Sequence, residues 1–260
     1  ICAANYVGNE IVKYLKAEGH FISLAITCKE DRYEKEISEN LSDMGVHCLR
    51  KKSANSKEFI KELHDRKIDQ VLLLWWPEII KEETLKSNRL GIINLHPSFL
   101  PTSRGKHPYY WSIVEEKDFG VSIHYITTGI DDGKIIAQKK IEFDITSTGE
   151  ELYEKSLSEM ISLFKDTFPK IKEHNPLGKD QNSNESTFHF GKELNNHSRI
   201  HLEKEYNALE LINIMRARTF AGKESSFFLL DGKKYYINID IYEAWSIWLY
   251  SLAMINNIIR

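Results

Sequence analysis

The chain has 260 residues, 42% of them hydrophobic, and a formal net charge of -3. That length permits one large domain, or one large and one small, with ample apolar material for a core. The charge gives no general attraction to nucleic acid, which argues against a nucleic-acid partner. Cys2, Cys28 and Cys48 lack metal-ligand spacing and suit a reducing cytoplasm, and no secretory signal opens the chain, so a cytoplasmic protein without a metal is expected.

In chain order, Ile1-Cys2-Ala3-Ala4 reads as a strand and Asn9 to Glu18 as the helix that follows it. The chain begins inside that strand, so a few residues are expected ahead of Ile1. Gly8 is the only glycine in the intervening turn, whereas a dinucleotide fingerprint needs three at fixed spacing, which argues against a nicotinamide cofactor. The turn leads to a helix N-terminus, where free N–H groups favour anions or polar substrate groups, so Asn5, Tyr6 and Asn9 are candidates for binding a substrate. Turn and cap roles fit the same three residues equally well. A strand from Phe21 to Thr27 and two further helix and strand units lead to the apolar runs Val71 to Trp76 and Gly91 to Leu95. This alternation predicts an α/β fold, a Rossmann-like, mostly parallel sheet with helices on both faces.

Asn94 and His96 stand two apart at the carboxyl end of one such strand, so their side chains point the same way, and Pro97 ends the strand. Open α/β sheets bind ligands at these strand ends. Val121 to Ile126 alternates as a strand, Gly129-Ile130-Asp131-Asp132-Gly133 reads as a turn, and Lys134 to Ile141 returns as the hairpin partner. That tip brings a carboxylate within reach of the strand end.

Glu150 to His174 has helical spacing and is expected to cover the sheet, closing a first domain at residues 1–175. The polar, turn-rich stretch Asn175 to Ser186 reads as the domain boundary. Residues 187–260 form a small α+β domain, with a helix from Asn207 to Ala217 and strands Ser226 to Leu230 and Lys234 to Ile241 around Asp231-Gly232. The apolar ending from Tyr242 is too interrupted by polar residues for a membrane span and is expected to be a packed helix or the interface of a homodimer.

Asn94-Leu95-His96-Pro97-Ser98-Phe99-Leu100-Pro101, Arg104-Gly105-Lys106-His107-Pro108 and Gly129-Ile130-Asp131-Asp132-Gly133-Lys134-Ile135-Ile136 together resemble the folate-dependent formyltransferases. That family includes the methionyl-tRNA, glycinamide ribonucleotide and nucleotide-sugar enzymes. The resemblance implies N10-formyltetrahydrofolate as co-substrate and no metal, with Asn94, His96 and Asp131 catalytic. Asp132 stands where the family usually has a small or hydroxyl residue. By the same resemblance Trp76, Pro77, Glu78, Ile79 and Ile80, with Thr128 and Gly129, hold the pterin, Pro77 replacing the usual glycine. Core roles for Trp75, Ile79 and Ile80 are the competing reading, favoured for Trp75.

Arg199-Ile200-His201-Leu202 and Leu211 to Phe220 resemble the second domain of the methionyl-tRNA and sugar enzymes, more closely the latter. Arg216, Arg218 and Phe220 are candidates for binding a nucleotide diphosphate by charge-assisted bonds and stacking, against a role as a solvated helix end. A tRNA enzyme ordinarily needs basic surface, so net charge and the short second domain favour a small anionic acceptor. The resemblance therefore implies transfer of formyl to the amino group of a nucleotide-linked amino-dideoxysugar, with a dTDP sugar for surface polysaccharide expected. A methionyl-tRNA formyltransferase is the first alternative and a non-catalytic folate-binding protein the second.

Overall fold

A computed structural model of the chain describes residues 1–173 and 176–244. In the first half run β1 (Cys2–Ala3), α1 (Asn5–Ala17), β2 (Ala25–Thr27), α2 (Glu34–Asp43), β3 (Cys48–Leu49), α3 (Lys57–Asp65), β4 (Val71–Leu74), α4 (Glu82–Leu85) and β5 (Ile92–His96). Then come β6 (Arg104–Gly105), α5 (Pro108–Val114), β7 (Phe119–Tyr125), β8 (Ile135–Ile141) and α6 (Gly149–Lys172). The chain continues through β9 (Phe188–His189), α7 (Glu193–His197), α8 (Ala208–Ala217), β10 (Ser226–Leu230) and β11 (Lys233–Ile237). The predicted ending beyond Ala244 lies outside the described residues.

A seven-stranded sheet has the order β3-β2-β1-β4-β5-β7-β8. It is parallel from β3 to β5, and β7 and β8 then add antiparallel to its edge. The mostly parallel Rossmann-like sheet is thus present, and a hairpin finishes it. Side-chain alternation divides the core into two layers. Ala3, Leu72, Leu74, Ile93, Leu95, Val121 and Ile123 face α1, α2, α5 and α6. Cys2, Leu73 and Ile92 face the thinner layer containing Phe59 and Leu63 of α3. Asn94 and His96 continue the row of Ile92, so the polar strand end opens on the less covered side of the sheet.

Several boundaries differ from expectation, among them the end of β11, which stops at Ile237 rather than Ile241. Helix α1 begins at Asn5 rather than Asn9 because Asn5 takes a left-handed φ of 59° and its N–H donates to Asp31 Oδ2 at 2.7 Å. Gly8 therefore lies inside the helix, where a Cβ would come 2.8 Å from the Leu74 carbonyl, so glycine here permits close helix-to-strand packing. Strand β4 stops at Leu74 because Trp75 turns to φ 59°. β2 is shorter than predicted, and Phe21 is exposed ahead of it. Helix α6 matches its prediction and starts with a capping box between Thr148 and Glu151.

No helix among the described residues is long and apolar enough to cross a membrane. Among the same residues no group of three or more His, Cys, Asp or Glu side chains is placed to hold a metal ion.

Candidate active site

Register places the key groups. β5 and β7 pair so that Asn94 stands opposite His124 and His96 opposite Ser122. Directly opposed residues present their side chains to the same face, and the Asn94 amide nitrogen lies 3.3 Å from His124 Nε2. His124 Nδ1 is 2.8 Å from the Tyr125 carbonyl, which only accepts. The proton therefore sits on Nδ1, and Nε2 accepts from Asn94. His124 in this way fixes which end of the Asn94 amide faces inward.

Asp131 hangs over this pair from the β7–β8 turn. Its Oδ2 is 3.6 Å from His96 Nδ1 and accepts from the Gly105 N–H at 3.0 Å, and its Oδ1 is 3.6 Å from His124 Nε2. The residue holds a left-handed φ of 51°, a region in which Asp is enriched among non-glycine residues. Burial raises the Asp131 carboxyl, but His96, His124 and the Gly105 N–H together hold it below the usual carboxylate range. Burial, and then the neighbouring His96, push the His124 imidazole down to about 4 against the opposing pull of Asp131. An anion and a neutral imidazole are thus held together out of water near neutral pH.

His96 differs from its neighbours in how it is bonded. It is 6% exposed, its Nδ1 faces Asp131, and its Nε2 is buried with no hydrogen-bond partner. A buried polar atom without a protein partner costs free energy unless a water or a ligand meets it. Asp132 is engaged elsewhere. Its carboxylate accepts from the Thr127 hydroxyl and lies against Gly129, where a Cβ would fall 2.0 Å from Oδ2. The doubled Asp therefore splits in geometry: Asp131 faces the histidines and Asp132 ties the exposed turn that carries Thr128 and Gly129.

The loop after β4 presents less side chain than expected. Trp76 and Ile80 belong to the thinner core layer, and Glu78 Oε2 accepts from Trp76 Nε1, Ser53 Oγ and the Ala54 N–H. Trp76 and Ile80 are buried and Glu78 half-buried, because the loop folds back onto the segment ahead of α3, and their reading as pterin-lining groups stays a proposal. Pro77 is exposed and Ile79 is 75% exposed, so Ile79 is not core. Trp75 is half-buried and meets Tyr153 edge-on at 6.2 Å.

The acceptor candidates are also rearranged. Tyr6 is exposed beside Tyr33, with ring centroids 6.0 Å apart, and Asn5 opens α1. Asn9 is only 1% exposed, inside α1 because the helix starts earlier than expected, and its place on the acceptor side stays a proposal. Arg216 is 4% exposed and donates to Asn213 Oδ1 and to the carbonyls of Asp144 and Ser147 at 2.8, 2.9 and 2.6 Å. Arg218 is buried and donates to Asn195 Oδ1, and Phe220 packs against Tyr109 at 5.1 Å. Neither the diphosphate reading nor the solvated helix end describes these three residues, because the end of α8 turns into the first domain. Arg216→Ala is expected to cost about 3 kcal/mol of stability in urea titration, since it leaves buried carbonyls unpaired and a cavity.

His124 was not singled out in the sequence. Its signal was the Ser122-x-His124 polar pair inside an otherwise apolar strand, and its meaning required the register with Asn94.

Comparison with known proteins bears on the family and the fold. The family described as formyl transferase matches residues 7–166, and an N-formyltransferase dimerization C-terminal domain matches residues 193–243. A methionyl-tRNA formyltransferase of Clostridioides difficile is 30% identical over 164 residues, covering 63% of this chain and 52% of that protein. A GDP-perosamine N-formyltransferase of Brucella melitensis is 27% identical over 194 residues, covering 74% of this chain and 73% of that protein. The chain spans about half the length of the curated methionyl-tRNA relatives it matches. The crystal structure of a Helicobacter canadensis N-formyltransferase, in complex with folinic acid and dTDP-3-aminofucose, has the same fold at a TM-score of 0.64. It is 22% identical and covers 92% of this chain and 95% of its own. With the first family match alone taking in more than half of its residues, this chain belongs to the formyl transferase family.

Proposed function

We propose that this protein transfers the formyl group of N10-formyltetrahydrofolate to the amino group of a nucleotide-linked amino-dideoxysugar. The observation that carries the reading is the buried, unpartnered Nε2 of His96 facing away from Asp131. Attack of an amine on the formyl carbon produces a tetrahedral species with charge on oxygen and an excess proton on nitrogen. Asp131 beside Nδ1 favours a proton there, so Nε2 is free to take the amine proton as a base. Once protonated, the same nitrogen is a donor to the oxyanion. Asn94, whose orientation His124 sets, has a second N–H available for that oxygen. The proton then passes to the folate nitrogen as the carbon–nitrogen bond breaks.

The choice of acceptor rests on weaker support. A net charge of -3 offers little to a tRNA backbone, and both the Brucella relative and the Helicobacter structure are named for sugar chemistry. We assign a dTDP sugar destined for a surface polysaccharide as the specific acceptor. We further assign pairing of two chains through the β10–β11 hairpin, where Leu229, Leu230, Tyr235 and Tyr236 are exposed. Incubation with N10-formyltetrahydrofolate and a panel of dTDP-, UDP- and GDP-linked amino sugars, followed by mass spectrometry, is expected to show one formylated product. Formylation of charged initiator tRNA with no sugar product would replace the acceptor, and loss of formyl to neither would remove the reading.

A further inference from the structure

The polar stretch between the two matched regions is not a free linker. It lies along the catalytic hairpin, with the Tyr125 hydroxyl donating to the Pro176 carbonyl at 3.0 Å and Lys179 and Ile135 exchanging main-chain bonds at 2.8 Å. Gln181 then reaches the turn itself. Its Nε2 donates to the carbonyls of both Asp131 and Gly133, at 2.8 and 2.7 Å, one on each side of Asp132. Its Oε1 accepts from Arg104 Nε and Nη2 at 3.1 and 2.6 Å, which fixes the sense of the amide. Arg104 is also the residue before Gly105, whose N–H holds the Asp131 carboxylate. β9 completes the attachment by pairing with β6, Arg104 opposite Phe188 and Gly105 opposite His189.

We propose that Gln181 is a positioning residue for formyl transfer, holding the Asp131 turn in register with His96 through a two-pronged bond to its backbone. The inference rests on the formyl-transfer reading of the site. A single planar amide that grips two carbonyls two residues apart and is itself clamped by a guanidinium allows the turn little rotation. The turn is otherwise exposed at Thr127 to Ile130, so the grip of Gln181 on its backbone ties it to the buried side of the site. Asp131 reaches both histidines at 3.6 Å, so a small swing of the turn separates them.

Two variants test this. Gln181→Met removes both ends of the amide, and Gln181→Glu keeps the pair with Arg104 while losing the N–H donors. Each is expected to lower kcat roughly 10- to 100-fold, with KM for folate and acceptor within about 2-fold of wild type. In an Asp131→Asn background, Gln181→Met should change kcat less than about 2-fold, because a residue acting through Asp131 has nothing left to position. Wild-type kcat in both variants, a loss confined to KM, or an equal loss in both backgrounds would overturn the proposal. A second readout does not need turnover: imidazole NMR signals of His96 and His124 in Gln181→Met should move as they do in Asp131→Asn. Unmoved signals would overturn Gln181 alone. An inactive wild type with moving signals would overturn the formyl-transfer reading and leave the geometric role of Gln181 supported.

Discussion

Alanine at His96 is expected to lower the turnover number for formyl transfer about 10³-fold, with less than about 2 kcal/mol of stability lost. The two effects separate because of how the side chain is bonded. Nε2 has no protein partner and Nδ1 is 3.6 Å from Asp131, beyond ordinary hydrogen-bond distance, so the folded protein gives up little polar satisfaction when the ring goes. What remains is a cavity beside β5, a cost reduced by losing a buried atom that was itself unpaired. The reaction, in contrast, loses the acceptor of the amine proton and a donor to the oxyanion in one step. Single-turnover measurement with saturating folate and acceptor, paired with urea unfolding, checks both halves. A variant that keeps rapid chemistry while unfolding readily would reverse the assignment.

Asp131→Asn should cost a similar factor, about 10³ in kcat, while the neutral isostere keeps an oxygen for the Gly105 N–H. This variant has a pH signature as well. The folded-state carboxyl lies below its ordinary value of 3.8, so the stability it contributes is fully present above that value and is lost as pH falls through the depressed one. Asparagine carries no such proton. Wild type should therefore lose more stability than the variant between about pH 5 and pH 3, read as the gap between their urea midpoints. His124, held down to about 4 in wild type against the pull of Asp131, adds a loss as pH falls from 6.5 to that value, and the variant, which lacks that pull, carries the loss further down. A constant gap across the acid range would mean that Asp131 gains nothing from its two histidines.

The parts of the site that could be read from the chain are those encoded by short periods. Asn94 and His96 are two apart on one strand, and alternation alone puts them on one face. Asp131 follows from a turn between two alternating runs, and the resemblance ties it to the strand end. His124 was visible only as a polar residue within a strand, because its partner is set by β5–β7 register, which sequence spacing does not display. Gln181 lies 50 residues from Asp131 in a stretch whose composition suggested a boundary, and composition is silent about what such a stretch packs on. Asn9 was misplaced because a single left-handed residue, Asn5, advanced the helix by one turn. Arg216 was misread for a related reason: a cation in the last turn of a helix is ordinarily solvated, and only the meeting of α8 with the 144–147 loop shows that it is enclosed.

The pairing of β6 with β9 also bears on how members of this family can be recombined. A Cβ on Gly105 would come 2.4 Å from the His189 carbonyl, so the strap from the second half is fitted to a glycine of the first at atomic contact. The formyl transferase match ends at residue 166, yet the groups that brace the carboxylate extend to His189. A chimera joined at residue 166 would unite the half that carries Asn94, His96 and Asp131 with a foreign brace. Exchanging second halves between relatives should therefore respect a seam downstream of His189, with Arg104, Gly105, Gln181 and residues 187–189 inherited as one block.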